Sequence, residues 1–283
     1  MLRYLVTLIK KSSWISHQLR KDAYLHFRYI ITLCLAKREN DTFTGFLRLP
    51  TQFEALTEQC LKYFAAKRGI HKLKICVAGC SNGAEAYTIS SVLQNRHPDL
   101  DFGIRAFDIN PEMIKQARTA SYQKDEVLNN KIITDDFLQA TFDIKDNAYK
   151  IKKKISERVF FMEGNILDSN FIKAERGFDI VFAQNFLLHL KRKNMVKAFK
   201  NIAVLLKNKA VLFIDGMDLD LREKLTREKG YTPLNYKIEK IHNEARRARA
   251  IGWPYNYWGL EPFTSNRKKW QRRYATIFLK QQH

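Results

Sequence analysis

From Lys72 onward, short apolar runs alternate with stretches of helical length: KLKICVAG, DFGIRAFDI, RVFFMEGN, FDIVFAQN and KAVLFIDG. Runs that are apolar almost throughout suit strands buried on both faces. Five of them separated by amphipathic segments predict a parallel sheet flanked by helices. Two further runs, NYKIEKIH and RYATIFLK, follow the fifth. Asp218 to Lys229, stopped by Gly230, reads as a helix before the first of them. These two runs predict an antiparallel pair at the end of the sheet, giving seven strands. Upstream the period changes. Leu5, Leu8 and Ile9, then Tyr24, Phe27, Ile30, Ile31 and Leu33, recur at helical spacing, and Gly45 is the single glycine before residue 69. The expected organisation is a small helical N-terminal domain over residues 1–68 and an α/β domain over 69–283. A change of texture separates them, with no low-complexity linker and no internal repeat.

The polar residues that break this pattern fall at the carboxyl ends of the predicted strands, where open α/β sheets hold their ligands. The first strand runs into Cys80-Ser81-Asn82-Gly83 and then a helical stretch from Ala84. Gly79 and Gly83 allow a tight turn and close backbone approach, although the spacing alone is weak evidence. No Gly-Lys-Ser/Thr follows, so the turn is not a phosphate loop, and the absence of G-x-G-x-x-G argues against a dehydrogenase. Asp108 ends the second strand, placed to accept the hydroxyls of a ribose. Its rival role is to cap the helix starting at Pro111, which Asn110 also suits. Gly164-Asn165-Ile166-Leu167-Asp168 follows the third strand, with an amide or carboxylate for an adenine amino group and Ile166 to pack on the ring. Ala183-Gln184-Asn185 ends the fourth.

Taken together, these residues carry a resemblance. VAGCSNGAEAYTIS, IRAFDINPEMIKQARTASY, FMEGNILD and FDIVFAQNFLLHL resemble, in order and spacing, the glycine turn and successive strand ends of the chemotaxis-receptor methyltransferase (CheR-type) family. TFTGFLRLPTQFEAL is similar to the segment preceding that family's catalytic domain. The match covers roughly residues 40 to 215. It implies a Rossmann-like, class I methyltransferase sheet with a small helical N-terminal domain. It also implies S-adenosylmethionine contacted by Thr44, Arg48, Glu85, Asp108, Asn165, Ile166, Gln184 and Asn185, beside the glycines Gly79 and Gly83. Glu85 would hold the methionine end, Arg48 would hold an acceptor carboxylate, and no metal is implied.

Several positions depart from the family pattern. Thr42 replaces an asparagine, Ala84-Glu85-Ala86 a glutamate pair followed by proline, Gln184 an arginine, and His189 a tyrosine near the reacting groups. Histidine either orients a carboxylate or deprotonates a neutral acceptor, so the acceptor stays open between a protein carboxylate and a small molecule. Met217 to Trp270 is a further departure. It contains GWPYNYWGLEPF beside Arg246, Arg247 and Arg249, which reads equally as a stacking surface and as core.

Composition changes this picture in one respect. Fifty Lys and Arg against 29 Asp and Glu give a formal charge of +21, which leaves nucleic acid possible as a partner or acceptor. Strand four ends in Gln184-Asn185-Phe186-Leu187 rather than the Asn/Asp-Pro-Pro-aromatic motif usual for base amino-methylation, which weighs against it. A non-catalytic protein that retains only cofactor binding is the other alternative. Cys34, Cys60, Cys76 and Cys80 read as reduced thiols and no run is long and apolar enough for a transmembrane helix, so the expected location is cytoplasmic. The oligomeric state is not readable.

Overall fold

The computed structural model describes residues 44–68, 72–129, 132–250, 261 and 263–281. The helices expected before residue 44, Thr42, Cys34 and most of the aromatic stretch lie outside the described residues. Pro50–Ala55 (α1) continues through a π-helical stretch, Leu56–Cys60, into Leu61–Arg68 (α2). The alternation then begins with β1 (Leu73–Ala78), α3 (Ala84–Arg96), β2 (Phe102–Asp108) and α4 (Pro111–Thr119). It is interrupted by β3 (Ser121–Gln123), α5 (Lys124–Leu128), α6 (Asp135–Thr141), β4 (Phe142–Lys145), β5 (Ala148–Ile151) and α7 (Lys153–Ser156). It resumes with β6 (Val159–Glu163), α8 (Ser169–Ala174), β7 (Phe178–Gln184), α9 (Arg192–Leu205) and β8 (Leu206–Asp215). The chain closes with α10 (Leu219–Glu228), β9 (Thr232–Pro233), α11 (Ile238–Ala250), α12 (Trp270–Tyr274) and β10 (Ile277–Lys280).

The main sheet has the order β6-β2-β1-β7-β8-β10-β9. β6, β2, β1, β7 and β8 are parallel, while β10 pairs antiparallel with both β8 and β9. Every residue of β7 is buried, as expected of a central parallel strand covered on both faces. Alternate residues of β1 feed opposite cores: Ile75 and Val77 join one apolar cluster, Cys76 and Ala78 the other. Phe46, Phe53, Leu56 and Phe64 belong to the first cluster, so the segment before β1 packs directly on the sheet. From β1 the chain builds outward to β2 and β6 on one side and to β7 and β8 on the other. The strand order therefore reverses between β1 and β7, which opens a crevice beyond their carboxyl ends.

Seven strands are present as expected, but the sixth is not where the pattern put it. NYKIEKIH enters a helix, α11, and the strand pairing with β10 is the short Thr232–Pro233. Ile238, Ile241 and Ala245 are buried at helical spacing along one face. The helical period prevails over a run too short to distinguish it from alternation. The second departure is a three-stranded antiparallel sheet, β3-β5-β4, between α4 and β6. Its hairpin turns on Asp146 and Asn147, at φ 48° and 64°, the left-handed pair that a two-residue turn requires.

Helix starts follow local chemistry. Asn110 accepts from the N–H groups of Glu112 and Met113 with Pro111 in the first turn of α4, and Asp218 accepts from Leu221 at the start of α10. At the carboxyl end of β8, Asp215 and Arg222 form an ion pair at 3.0 Å, both essentially sealed from solvent. Arg222 also donates to the carbonyl of Arg273 at 2.9 Å. Removing one partner strands a buried charge. Asp215→Ala is therefore expected to lower the urea unfolding free energy by about 3 kcal/mol, and a loss below about 0.5 kcal/mol, the range of ordinary surface changes, would contradict the pairing.

Candidate functional site

The crevice holds one cavity of about 350 Å³, walled by the residues after β1, β2, β6 and β7 and by the segment 44–53. Thr44, Arg48, Gly79, Glu85, Asp108, Asn165, Ile166, Gln184, Asn185 and His189 all line it. These are the residues expected from the sequence, except that Gly83 is not part of the wall.

The glycine turn is shaped by its neighbours. Gly79 has φ +69°, and a Cβ there would lie 2.6 Å from the Phe186 ring; Gly83 has φ +88°, and its Cβ would lie 2.8 Å from Phe161. Both positions need a left-handed backbone and have no room for a side chain. Gly83 thus serves the turn and the N-cap of α3. Asp108 locks this turn to the tip of β2: one carboxylate oxygen accepts from Ser81 N–H at 2.8 Å, the other from Asn110 N–H at 2.9 Å. The cap of α4 is Asn110, so Asp108 is not needed for that role.

The third and fourth tips are built in the same local way. Asn165 Oδ1 accepts from Leu167 N–H at 2.8 Å, forming an Asx turn that presents Ile166. Asp168, which the sequence left as an alternative to Asn165, instead caps α8 by accepting from Asn170 and Phe171. Asn185 has φ +59° and donates its N–H to the carbonyl of Asp215 at 3.1 Å. Gly216 makes this possible, because a Cβ there would lie 2.6 Å from the Asn185 Cα. His189 ends a 3-10 turn, Leu187–His189, on the same rim.

Two features of the wall were not singled out from sequence. Gln52, wholly buried on α1, accepts from Gln184 Nε2 at 2.8 Å and donates to Thr276 Oγ1 at 2.7 Å. It sits within TFTGFLRLPTQFEAL, but a glutamine on a helix carries no signal of a partner 132 positions away. Ile109 remains 69% exposed although it lines the cavity, an apolar surface directly beyond Asp108.

Glu85, half-buried in the first turn of α3, is the most perturbed acid of the wall. Loss of solvent raises its pKa to about 7, and the nearby Arg48 guanidinium opposes the rise. Two carboxylates (Glu85 and Asp108), the amides of Asn165 and Gln184, and the apolar Ile166 thus face one space. This set suits a ligand that combines an ammonium, a diol and a nitrogen heterocycle. Among the described residues no group of His, Cys, Asp and Glu is arranged to hold a metal ion.

The reversal of strand order, the antiparallel last strand and the polar tips around one crevice define an α/β methyltransferase of the Rossmann-like, class I kind. The chain belongs to the CheR methyltransferase family: residues 42–229 match its S-adenosylmethionine-binding domain. It is an S-adenosylmethionine-dependent methyltransferase, and the donor set of the cavity fits that cofactor. A chemotaxis protein methyltransferase from Listeria monocytogenes serovar 1/2a is 25% identical over 249 residues, covering 86% of each protein. The probable biofilm formation methyltransferase WspC of Pseudomonas putida is 27% identical over 60% of this chain, which spans 40% of that protein. Chemotaxis protein methyltransferase 1 of Pseudomonas aeruginosa is 30% identical over 48% of this chain and 51% of its own length.

An acid whose pKa is raised in the folded state costs stability once the unfolded chain ionises. Below about pH 4.5 Glu85 is protonated in both states; between there and about 7 only the unfolded form is charged, so stability falls as pH rises. Glu85→Gln removes this slope. The unfolding free energy of the variant relative to wild type is expected to increase from pH 4.5 to 7 and then level off, as followed by denaturant melts. A pH-independent difference would contradict the raised pKa.

Proposed function

We propose that this methyltransferase acts on a carboxylate, with Arg48 and His189 as the residues that meet the acceptor. The observation carrying this reading is the placement of Arg48 in the wall of the cavity that holds the cofactor-type donor set. Bound S-adenosylmethionine supplies a methyl group on a sulfonium, a carbon already activated toward displacement. The residues are left with alignment rather than acid-base chemistry. A carboxylate is ionised at neutral pH and needs no general base, and a guanidinium offers it two parallel donors. His189, on the rim, orients the same group through a ring N–H.

The cofactor would be held by Thr44, Arg48, Gly79, Glu85, Asp108, Asn165, Ile166, Gln184 and Asn185, with Gly83 shaping the turn behind them. Asp108 uses two acceptor positions on Ser81 and Asn110 and retains capacity for ribose hydroxyls. Glu85 would take the ammonium end, a second cation beside Arg48 that favours its ionised form. Asn165 and Ile166 would receive the adenine.

In this reading residues 1–68 form a helical N-terminal domain, whose segment 44–53 walls the cavity, and 69–283 form the catalytic domain. A protein acceptor is supported by the names of the relatives, chemotaxis protein methyltransferase and probable biofilm formation methyltransferase. A cytoplasmic location is supported by the buried, unpaired thiols of Cys60, Cys76 and Cys80. No helix among the described residues is long and apolar enough to cross a membrane.

Asp108→Asn replaces an acceptor oxygen with a donor and is expected to weaken S-adenosylmethionine binding at least ~10-fold by calorimetry, about 1.4 kcal/mol. Unchanged affinity would remove Asp108 from the site. With radiolabelled cofactor and a bacterial protein fraction, the transferred label should be released by mild alkali as methanol, as from a carboxyl ester, and Arg48→Ala should abolish it. Label that withstands alkali would overturn the carboxylate assignment.

A further inference from the structure

The helix that carries one wall of the cavity begins without a cap of its own. Leu49 holds the N-cap position of α1 and offers no side-chain acceptor. Thr51, two residues on, is fully buried, so its backbone N–H is one of the unpaired donors that a helix start must satisfy. The acceptor comes from 193 positions away: Glu244 on α11 takes the Thr51 N–H at 3.1 Å with one oxygen and the Thr51 hydroxyl at 2.6 Å with the other. A carboxylate at this end of a helix also meets the positive pole of its dipole.

This turn is the one that reaches the cavity. Arg48 and Leu49 precede it, Gln52 and Phe53 follow, and all four line the wall. Gln52 in turn fixes Gln184 by the 2.8 Å amide contact. The residues just before α11 meet the same N-terminal segment at its outer edge, through Lys237 to Glu54 and Tyr236 to Glu58, each at 2.8 Å but exposed. Exposed pairs of that kind contribute little, whereas Thr51 and Gln52 are both sealed.

We propose that Glu244 is a positioning residue for cofactor binding, capping α1 from α11 and so setting where Arg48 and Gln52 stand in the wall. The proposal rests on reading this cavity as the cofactor site. It gives a role to part of the segment 217–270, which departs from the family pattern: that segment holds the cavity wall in register.

The test compares Glu244→Ala, Glu244→Gln, Thr51→Val and Lys237→Ala in the full chain. S-adenosylhomocysteine affinity is measured by calorimetry, and hydrogen exchange at Thr51 and Gln52 is followed in the ligand-free protein. Glu244→Ala should bind about tenfold more weakly, the scale of a lost helix cap, with faster exchange at both amides. Glu244→Gln, which keeps one carbonyl acceptor, should recover part of the affinity. Thr51→Val, which keeps the N–H bond, should fall between that variant and wild type, and it decides the matter if Glu244→Ala does not fold. Lys237→Ala should stay within about twofold of wild type. Wild-type affinity and exchange in Glu244→Ala would overturn the proposal, as would equal losses in Lys237→Ala, which would signify general loosening of the helix contact. Failure of the wild-type chain to bind the ligand would count against the cofactor reading, while exchange at Thr51 would still decide whether Glu244 is the cap.

Discussion

A single carboxylate joins the two strand ends on which the site depends. Asp108 accepts the backbone N–H of Ser81 from the turn after β1 and that of Asn110 from the turn after β2. Parallel strands leave their carboxyl ends without ladder partners, and a turn there must find acceptors for its N–H groups elsewhere. By supplying both, Asp108 sets the spacing of the first two tips. The glycine turn is pressed from behind by Phe186 and Phe161, so it has no freedom to relax away. The floor of the crevice therefore follows from the sheet topology and from the contacts of this one side chain.

Polar groups on the far side of the cavity are buried more deeply and held by longer-range partners. Gln184, Gln52 and Thr276 form a chain through three separate parts of the sequence. Closer in sequence, Asp215 pairs with Arg222, while Glu261 binds Arg273 and Tyr274 and its carbonyl contacts His242. A buried polar group left unpaired costs more than its hydrogen bond contributes, so these contacts specify how β8, β10, α10 and α11 come together more than they add stability. They connect the end of the chain to the wall formed by residues 44–53.

Glu85 shows a different balance. A helix start favours an acid, and Arg48 is near, yet desolvation outweighs both and leaves its pKa near neutrality. A carboxylate poised in this way beside a guanidinium in a cavity wall is a common mark of a functional site.

Sequence alone determined the five parallel strands, the helix ended by Gly230, and the tips at Gly79, Asp108, Asn165 and Gln184, because each follows from a local period or a local turn requirement. Arg48, Glu85 and His189 became legible only through the family resemblance, since an isolated charge has no pattern. The turn at Asp146-Asn147 and the alternation in FDIKDNAYKIK are a local sign of the small sheet. Tertiary structure decided that NYKIEKIH enters a helix, because only the core shows which of Ile238, Ile241 and Ala245 must face inward together. It also decided that Gly83 stands behind the wall, that Asp168 caps a helix, and that Gln52 meets Gln184 and Thr51 meets Glu244. Those pairings join residues more than a hundred positions apart. Their energy comes from being removed from water together, a condition that no short stretch of sequence contains.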